Sequence, residues 1–406
     1  MPEFVAKVSW GRVRKAVTAF YWVLALALVS ASPAMASPRS RFEPPTPPQL
    51  SAASVYVYDA TAKVPLFAKD ADAQRAPASL TKIVTALVVV EHAALDETVT
   101  IQPEDIVDET QSRAELVEGD TLSVRDLLVG LLVHSGNDAA LALARHVGSE
   151  LAVAEDADPV NRFVAEMNRL VADRGLTNTR FSNPSGIDGD QHVASARDLA
   201  LLTAEAIENP TLAEIMGTAS ATLPSSVNPD GYLVNTTHDM VLDGSAVAGK
   251  TGTTDQAGGC LVTVTLQGEN RIVAVILGAE LTYADDGSFS SPARYADTRN
   301  LIAVLPERYD WVDPSAAEAV PGLPEELSAW GAALNGSGRV PVPRGRAGEL
   351  GYRLVLGAPA EPGAPVGTVL FLLGSEVLTE QPVVQAGFAT TATGDVMALH
   401  QLSLAA

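Results

Sequence analysis

Segments with the hydrophobic period of a β-strand and segments with that of an α-helix follow one another along this chain in an order that restricts its fold. Strand-like segments occur at 55–58 and 65–68, and again much later at 247–251, 261–266 and 272–277. Between these two groups lie helix-like segments, which begin at Ser79, at Ser123, at Val160 and at Ser195. Strands on both sides of a block of helices predict a mixed α/β (α+β) fold, with one antiparallel sheet covered by helices.

The C-terminal part of the chain differs from this region. Past Pro306 it is rich in Pro and Gly, with short strand candidates at 352–356, 368–373 and 376–379. We therefore predict a main domain over 50–305 and a small β-rich domain over 306–406. Hydrophobic residues make up 47% of the sequence, which is enough for each part to bury a core of its own.

Residues 1–36 have the pattern of a secretory signal peptide. A basic stretch that ends at Lys15 precedes an apolar run over 16–29, and the small residues around Ala34 and Ala36 predict cleavage after Ala36. The alternative is an uncleaved anchor, but the apolar run is short for a membrane span of about 20 residues. Residues 37–49 are predicted to form a Pro-rich linker. We expect a protein exported across the cytoplasmic membrane, to the periplasm or the outer face of the cell.

The composition restricts the kinds of molecule and ion that this protein is expected to bind. The formal charge is −22, which opposes binding to nucleic acid, and the absence of Lys and Arg after Arg353 makes membrane association through a basic tail doubtful. Cys260 is the single cysteine, so no internal disulfide forms, and we expect it to be a small buried side chain. The six histidines lack metal-ligand spacing, so we expect neither a metal nor another cofactor.

Three short motifs carry the chemistry: Ser79-Leu-Thr-Lys82, Ser135-Gly-Asn137 and Lys250-Thr-Gly252. Residues three apart on a helix share a face, so the amine of Lys82 can reach the Ser79 hydroxyl. A serine that only caps a helix, followed by a solvated lysine, would give the same sequence pattern. However, the chain has only six lysines and otherwise uses Arg, which cannot release its proton. A lysine kept at this position is what a general base requires.

The sequence around these motifs resembles that of a known family. The similar stretches are PASLTK at 77–82, LLVGLLVHSGNDAA at 127–140, SARDL at 195–199 and KTGTT at 250–254. Together they closely resemble D-alanyl-D-alanine carboxypeptidases, the serine DD-peptidases among the low-molecular-mass penicillin-binding proteins. The likeness covers about 50–305 and, more loosely, 366–387. It implies the penicillin-binding/serine β-lactamase-like transpeptidase fold.

The resemblance also implies an activity and roles for the motif residues. Peptidoglycan stem peptides would lose their terminal D-alanine through an acyl-enzyme on Ser79, and β-lactam antibiotics would acylate the same serine. Lys82 would be the base that activates it. Ser135 would relay protons, and Asn137 would bind the substrate amide. The backbone N–H groups of the nucleophile and of Thr253 would form the oxyanion hole.

The third motif would bind the far end of the substrate. By the same resemblance, Lys250 and Thr251 would orient the terminal carboxylate and lower the proton affinity of the lysine base. Gly252 would let the substrate backbone approach closely. Arg294 matches a family arginine that helps to hold the carboxylate; a surface charge on a helix is the alternative. The polar cluster at 235–238 matches the family only in part, so it receives no role.

Two other activities are compatible with the same three motifs. A class A-like β-lactamase shares the three motifs but needs a further carboxylate to deacylate the ester. None of the candidates lies in a Glu-x-x-Leu-Asn loop; they are Glu155, Glu166, Glu205 and Glu208. A DD-endopeptidase would use the same acylation chemistry on cross-links. A non-catalytic cell-wall binding protein would be expected to have lost Ser79, Lys82 or Lys250, which are all present.

Overall fold

The computed structural model describes residues 49–151, 158–336, 338–358 and 360–386. The predicted signal peptide and nearly all of the predicted linker therefore lie outside the described residues. Within the described ranges, no helix combines the length and the apolar character needed to cross a membrane.

A five-stranded antiparallel sheet forms the centre of the main part, in the order β2-β1-β9-β8-β7. The strands of this part are, in chain order, β1 (Ser54–Asp59), β2 (Val64–Lys69), β3 (Thr98–Thr100), β4 (Thr121–Ser123), β5 (Ser220–Leu223), β6 (Tyr232–Asn235), β7 (Ala248–Thr254), β8 (Gly258–Gln267), β9 (Asn270–Ala279), β10 (Thr282–Tyr283) and β11 (Phe289–Ser290). The remaining strands make the two-stranded hairpins β3–β4, β5–β6 and β10–β11. The predicted antiparallel sheet is confirmed, and the edge strand β7 carries the third motif.

Helices cover this sheet. They are α1 (Thr81–His92), α2 (Val124–Leu132), α3 (Asn137–Glu150), α4 (Pro159–Asp173), α5 (Ala196–Ala206), α6 (Pro210–Met216), α7 (Asp239–Leu242) and α8 (Pro292–Arg308). Ser123 and Ser195 cap α2 and α5, since each hydroxyl accepts the backbone N–H three residues on. Helix α3 has no counterpart among the predicted helices.

Helix α1 is the centre of the core. Ile83, Val84 and Val88 on different faces of this helix are all 0% exposed. A helix that is buried on all sides must lie between other elements, and α1 contacts helices α2 to α5. The 3-10 turn before α1 and the first turn of α1 together carry the Ser-x-x-Lys motif, and this 3-10 turn packs against the edge strand β7. Cys260 is buried as predicted, and burial raises the pKa of its thiol to about 11.

The C-terminal part has strands of its own and a second apolar cluster. It contains β12 (Tyr309–Val312), α9 (Leu323–Ala329), β13 (Ala332–Leu334), β14 (Val340–Pro343), β15 (Leu350–Leu356), β16 (Pro365–Leu373) and β17 (Glu376–Gln385). Strands β13-β17-β16-β15 form one antiparallel sheet, and β12 pairs with β14. The three predicted strands are therefore present, while the domain boundary near residue 305 stays a prediction, since α8 runs across it.

A buried carboxylate joins the two parts. Asp59, at the end of β1, accepts hydrogen bonds from the side chains of Asn270 at 2.7 Å and Trp311 at 2.9 Å. The other end of the Asn270 amide accepts the backbone N–H of Arg339 at 2.9 Å. Because Asp59 is fully buried, these bonds replace water as its partners. They attach the C-terminal part to the end of the sheet where β1 ends and β9 begins.

Candidate active site

Ser79 lies in the 3-10 turn that leads into α1. The preceding residue, Ala78, has a φ of 49°, which is uncommon for a residue with a side chain. Two glycines make room for this turn. A Cβ on Gly252 would lie 3.0 Å from the amide nitrogen of Ser79, and one on Gly186 would lie 2.0 Å from the carbonyl oxygen of Ala78. Strand β7 and the loop before α5 therefore pack directly onto the backbone around the predicted nucleophile.

Lys82 is in contact with Ser79, as its spacing predicts. Its Nζ lies 2.9 Å from the Ser79 Oγ, 2.7 Å from the Asn137 Oδ1 and 2.6 Å from the carbonyl oxygen of Ser185. A neutral amine has two hydrogens and one lone pair, and an amide oxygen can only accept. The two amide oxygens therefore take both hydrogens. The lone pair is left for the Ser79 hydroxyl, which is the arrangement a general base needs.

Burial makes this neutral form accessible. Lys82 is 0% exposed, and its desolvation lowers the pKa of the amine from 10.5 to about 7. The nearby carboxylate of Asp138 acts in the opposite direction. Asp138 accepts the backbone N–H groups of Ala114 and Leu116 at 2.9 Å and 3.2 Å, so it also holds the loop before the second motif in place.

The second motif lies in the short connection between α2 and α3. Ser135 is 5% exposed and has a φ of 67°, a left-handed conformation that turns the chain sharply. Asn137 presents its oxygen to Lys82, and its Nδ2 donates to the Gln111 Oε1 at 2.8 Å. Among the hydrogen bonds of the described residues, none joins the Ser135 hydroxyl to either Lys82 or Lys250.

The third motif lies on the edge strand β7, where alternate residues face opposite sides. Lys250 is 1% exposed, and burial lowers the pKa of its amine well below 10.5, with the charges of Lys82 and Arg294 adding to the effect. The pKa of Lys82, which Lys250 is predicted to lower, is lowered mainly by burial. The Thr251 hydroxyl forms a hydrogen bond with the hydroxyl of Thr237.

Arg294 supports the same strand from the other face. On helix α8, its Nη1 donates to the carbonyl oxygen of Gly252 at 3.1 Å and to the Thr253 Oγ1 at 2.8 Å. Its guanidinium carbon also lies 5.1 Å from the centre of the Tyr295 ring. The arginine is therefore bonded to β7 beside Thr253, and its role in holding the substrate carboxylate stays a prediction.

Several contacts in this site come from residues that the motifs do not include. Ser185 supplies a carbonyl oxygen to Lys82, and Gln111 contacts the amide of Asn137. Thr237 contacts the Thr251 hydroxyl and belongs to the cluster at 235–238 that matched the family only in part. That partial match was a usable signal for Thr237. A backbone carbonyl has no signal in the sequence.

Within the described residues, no carboxylate considered for a β-lactamase forms a hydrogen bond or an ion pair with the three motifs. Glu166 forms an ion pair with Arg169 and a hydrogen bond with His92, which ends α1. His92 is ten residues from Lys82, which separates the two by about 15 Å along the helix axis. Glu205 pairs with Arg174. Glu155 lies outside the described residues.

Two surface groups combine a histidine with carboxylates at distances that suit a metal: Glu91 with His92 and Glu166, and Glu97 with His146 and Glu150. Their ligand atoms already have protein partners. Arg169 pairs with Glu166, Arg174 pairs with Glu91, and Glu97 accepts the backbone N–H of Ala94 as well as the His146 ring. Neither group contacts the three motifs.

Comparisons with known proteins agree with this geometry. The family model of D-alanyl-D-alanine carboxypeptidases matches residues 41–281. The D-alanyl-D-alanine carboxypeptidase of Streptomyces sp. strain K15 is 31% identical over 267 residues, covering 63% of this chain and 88% of the relative. The enzyme DacF of Bacillus subtilis, also a D-alanyl-D-alanine carboxypeptidase, is 28% identical over 357 residues, covering 81% and 85%. The crystal structure of the Streptomyces K15 DD-transpeptidase superposes with a TM-score of 0.57 at 30% identity, covering 64% of this chain and 98% of that one. The predicted fold is confirmed.

Proposed function

This chain belongs to the D-alanyl-D-alanine carboxypeptidase family of serine peptidases, and we propose that it removes the terminal D-alanine from peptidoglycan stem peptides through an acyl-enzyme on Ser79. The observation that carries this proposal is the environment of Lys82. A fully buried amine with two acceptor-only partners directs its lone pair at the Ser79 hydroxyl.

Acylation then proceeds in two steps. Lys82 takes the hydroxyl proton while the Ser79 oxygen attacks the carbonyl carbon of the penultimate D-alanine. The resulting oxyanion accepts hydrogen bonds from the N–H groups of Ser79 and Thr253, because β7 packs onto the turn at Gly252, the residue before Thr253. The carbon–nitrogen bond breaks as the leaving amine receives a proton through Ser135, and D-alanine departs.

Deacylation uses the same groups in reverse order. Lys82, or Lys82 through the Ser135 hydroxyl, takes a proton from a water molecule, and the water oxygen attacks the ester carbon. The ester bond breaks, and the Ser79 oxygen recovers its proton. The shortened peptide leaves with a new carboxylate. Asn137 binds the substrate amide during both steps.

The electrostatics of β7 suit a substrate that ends in a carboxylate. Lys250 is buried, so the removal of water, and to a lesser degree nearby positive charge such as that of Arg294, disfavours its ammonium form in the free enzyme. A bound carboxylate compensates for the lost hydration and favours the ammonium form. Thr251 offers a hydroxyl, and Arg294 adds positive charge beside Thr253. Binding of an anionic C-terminus therefore supplies the counter-charge that this buried amine lacks in the free enzyme.

We further propose that β-lactams acylate Ser79 and that the enzyme works outside the cytoplasmic membrane, in the periplasm or on the outer face of the cell. Peptidoglycan is located there, and the signal peptide pattern of residues 1–36 supports export. The ion pairs of Glu166 and Glu205 favour a peptidase over a class A-like β-lactamase, because both carboxylates already have arginine partners outside the three motifs.

The test combines a mass measurement with an activity measurement. Intact mass spectrometry after incubation with benzylpenicillin should show one adduct, and digestion should locate it on the peptide that contains Ser79. The enzyme should also release D-alanine from diacetyl-L-Lys-D-Ala-D-Ala. The Ser79→Ala variant should lose both properties while it keeps its circular dichroism spectrum. Labelling at another residue, or no labelling of folded enzyme, would refute the proposal.

A further inference from the structure

One peptide group links the turn before α1 to the oxyanion hole. The carbonyl oxygen of Ala78 and the N–H of Ser79 belong to the same planar trans peptide, so they point in opposite directions. The Thr81 hydroxyl donates to this carbonyl oxygen at 2.9 Å. Whatever holds the oxygen therefore also sets the direction of the N–H on the other side. That N–H is one of the two donors assigned to the oxyanion hole.

A buried imidazole lies behind the Thr81 hydroxyl. The His192 Nε2 is 2.8 Å from the Thr81 Oγ1, and its Nδ1 is 3.0 Å from the backbone nitrogen of Ser182. A backbone N–H can only donate, so Nδ1 is the acceptor and Nε2 carries the hydrogen. The ring therefore donates to Thr81, and Thr81 donates to Ala78. Burial lowers the pKa of His192 to about 4, which keeps this tautomer neutral.

We propose that His192 is a positioning residue that aims the Ser79 N–H into the oxyanion hole. The contacts run in series, from the His192 ring to the Thr81 hydroxyl, to the Ala78 carbonyl and through the peptide to the Ser79 N–H. Hydrogen bonds in series polarise one another, so the same contacts also strengthen this N–H as a donor. The inference rests on the proposed function, because the oxyanion forms only if Ser79 is the nucleophile.

The loop that carries His192 makes other contacts with the same turn. Gly186 packs against the Ala78–Ser79 peptide, and the Ser185 carbonyl oxygen accepts from Lys82. Ala78 has an unfavourable left-handed φ of 49°, so contacts beyond the backbone N–H of Thr81, which also donates to this carbonyl, help to keep the orientation of the peptide. The competing explanation is that the His192 ring only fills space beside Phe181, at a ring distance of 5.5 Å. The two explanations predict different kinetics.

The experiment compares variants that break and keep the hydrogen bond. His192→Leu removes the donor, and His192→Gln keeps an N–H at similar reach. Thr81→Val and Thr81→Ser make the same comparison one step closer to Ser79. We expect the Leu and Val variants to lose about 10- to 100-fold in kcat, somewhat less than the loss of a whole oxyanion-hole donor. KM should change by less than about threefold, because ground-state binding does not use this donor.

A peptide boronic acid gives an independent readout. Its tetrahedral adduct with Ser79 places an oxygen in the oxyanion hole, so its inhibition constant should rise in proportion to the fall in kcat. The His192→Gln and Thr81→Ser variants should recover most of the loss in kcat and most of the loss in boronate affinity. The double variant His192→Leu/Thr81→Val should be no worse than the more impaired single variant, because both interrupt the same series of bonds. His92→Gln, on the surface away from the site, serves as the matched control.

The outcomes separate the two proposals. If the wild-type enzyme neither releases D-alanine nor is acylated at Ser79, the proposed function fails. If the wild type is active and a folded His192→Leu variant keeps a normal kcat and boronate affinity, the positioning role is wrong and His192 only packs. Should His192→Leu fail to fold, Thr81→Val and Thr81→Ser decide the question in the same way.

Discussion

Replacing Lys82 by arginine tests the central physical claim, which is that this lysine acts as a neutral base. An amine with a pKa of 10.5 would be neutral in about 3 of 10,000 molecules at pH 7, whereas one with a pKa of about 7 is neutral in about half. Burial therefore raises the population of competent enzyme by roughly three orders of magnitude. Arginine keeps the positive charge but cannot supply the lone pair, because its guanidinium stays protonated.

We expect Lys82→Arg to lower the rate of acylation by benzylpenicillin by about 10²- to 10⁴-fold at pH 7, the range of general base catalysis. The wild-type rate should rise about tenfold per pH unit below pH 7 and level off above it, since deprotonation of Lys82 creates the active form. Acylation can be followed by quenched time courses and intact mass spectrometry. The exposed Lys63 offers a matched control, and Lys63→Arg should leave the rate unchanged.

Two results would refute this reasoning. A folded Lys82→Arg variant that keeps more than about a tenth of the acylation rate would mean that Lys82 serves only as a charge. A rate that stays flat between pH 5 and pH 8 would mean that no group with a pKa near 7 controls acylation, and that the burial of this amine has no kinetic role.

Three further predictions concern the surroundings of the site. Thr237→Val should raise KM for an acyl-D-Ala-D-Ala peptide by about tenfold and Thr237→Ser should restore it in steady-state assays, because the Thr251 hydroxyl loses the partner that orients it. Asp59→Ala should destabilise the protein by about 2–4 kcal/mol in urea unfolding, since three N–H donors, from Ala62, Asn270 and Trp311, lose their acceptor. A chain that ends at Arg308, where α8 ends, should still hydrolyse a small acyl-D-Ala-D-Ala peptide, because every predicted catalytic group lies upstream; a folded but inactive truncation would show that the β-rich part helps to build the site.

Much of this protein was predictable from short-range relations in the sequence. Ser79 and Lys82 are in contact because residues three apart on a helix share a face. In the structure the Lys82 Nζ lies 2.9 Å from the Ser79 Oγ. Ser123 and Ser195 begin helices because a serine before a helical period can accept its free N–H groups. The change from helical to alternating period before Lys250 predicted a strand there, and β7 is that strand. Each of these relations involves residues within a few positions of one another.

Only the tertiary structure determined which groups surround Lys82 and the turn before it. The Ser185 carbonyl and the His192 ring come from about a hundred residues further along the chain. Every residue has a carbonyl oxygen, so no sequence pattern distinguishes the one that faces the amine. The lowered pKa of Lys82 likewise depends on how completely α1 is buried. The residue type supplies an amine, but its use as a base depends on the removal of water by the surrounding helices and strands.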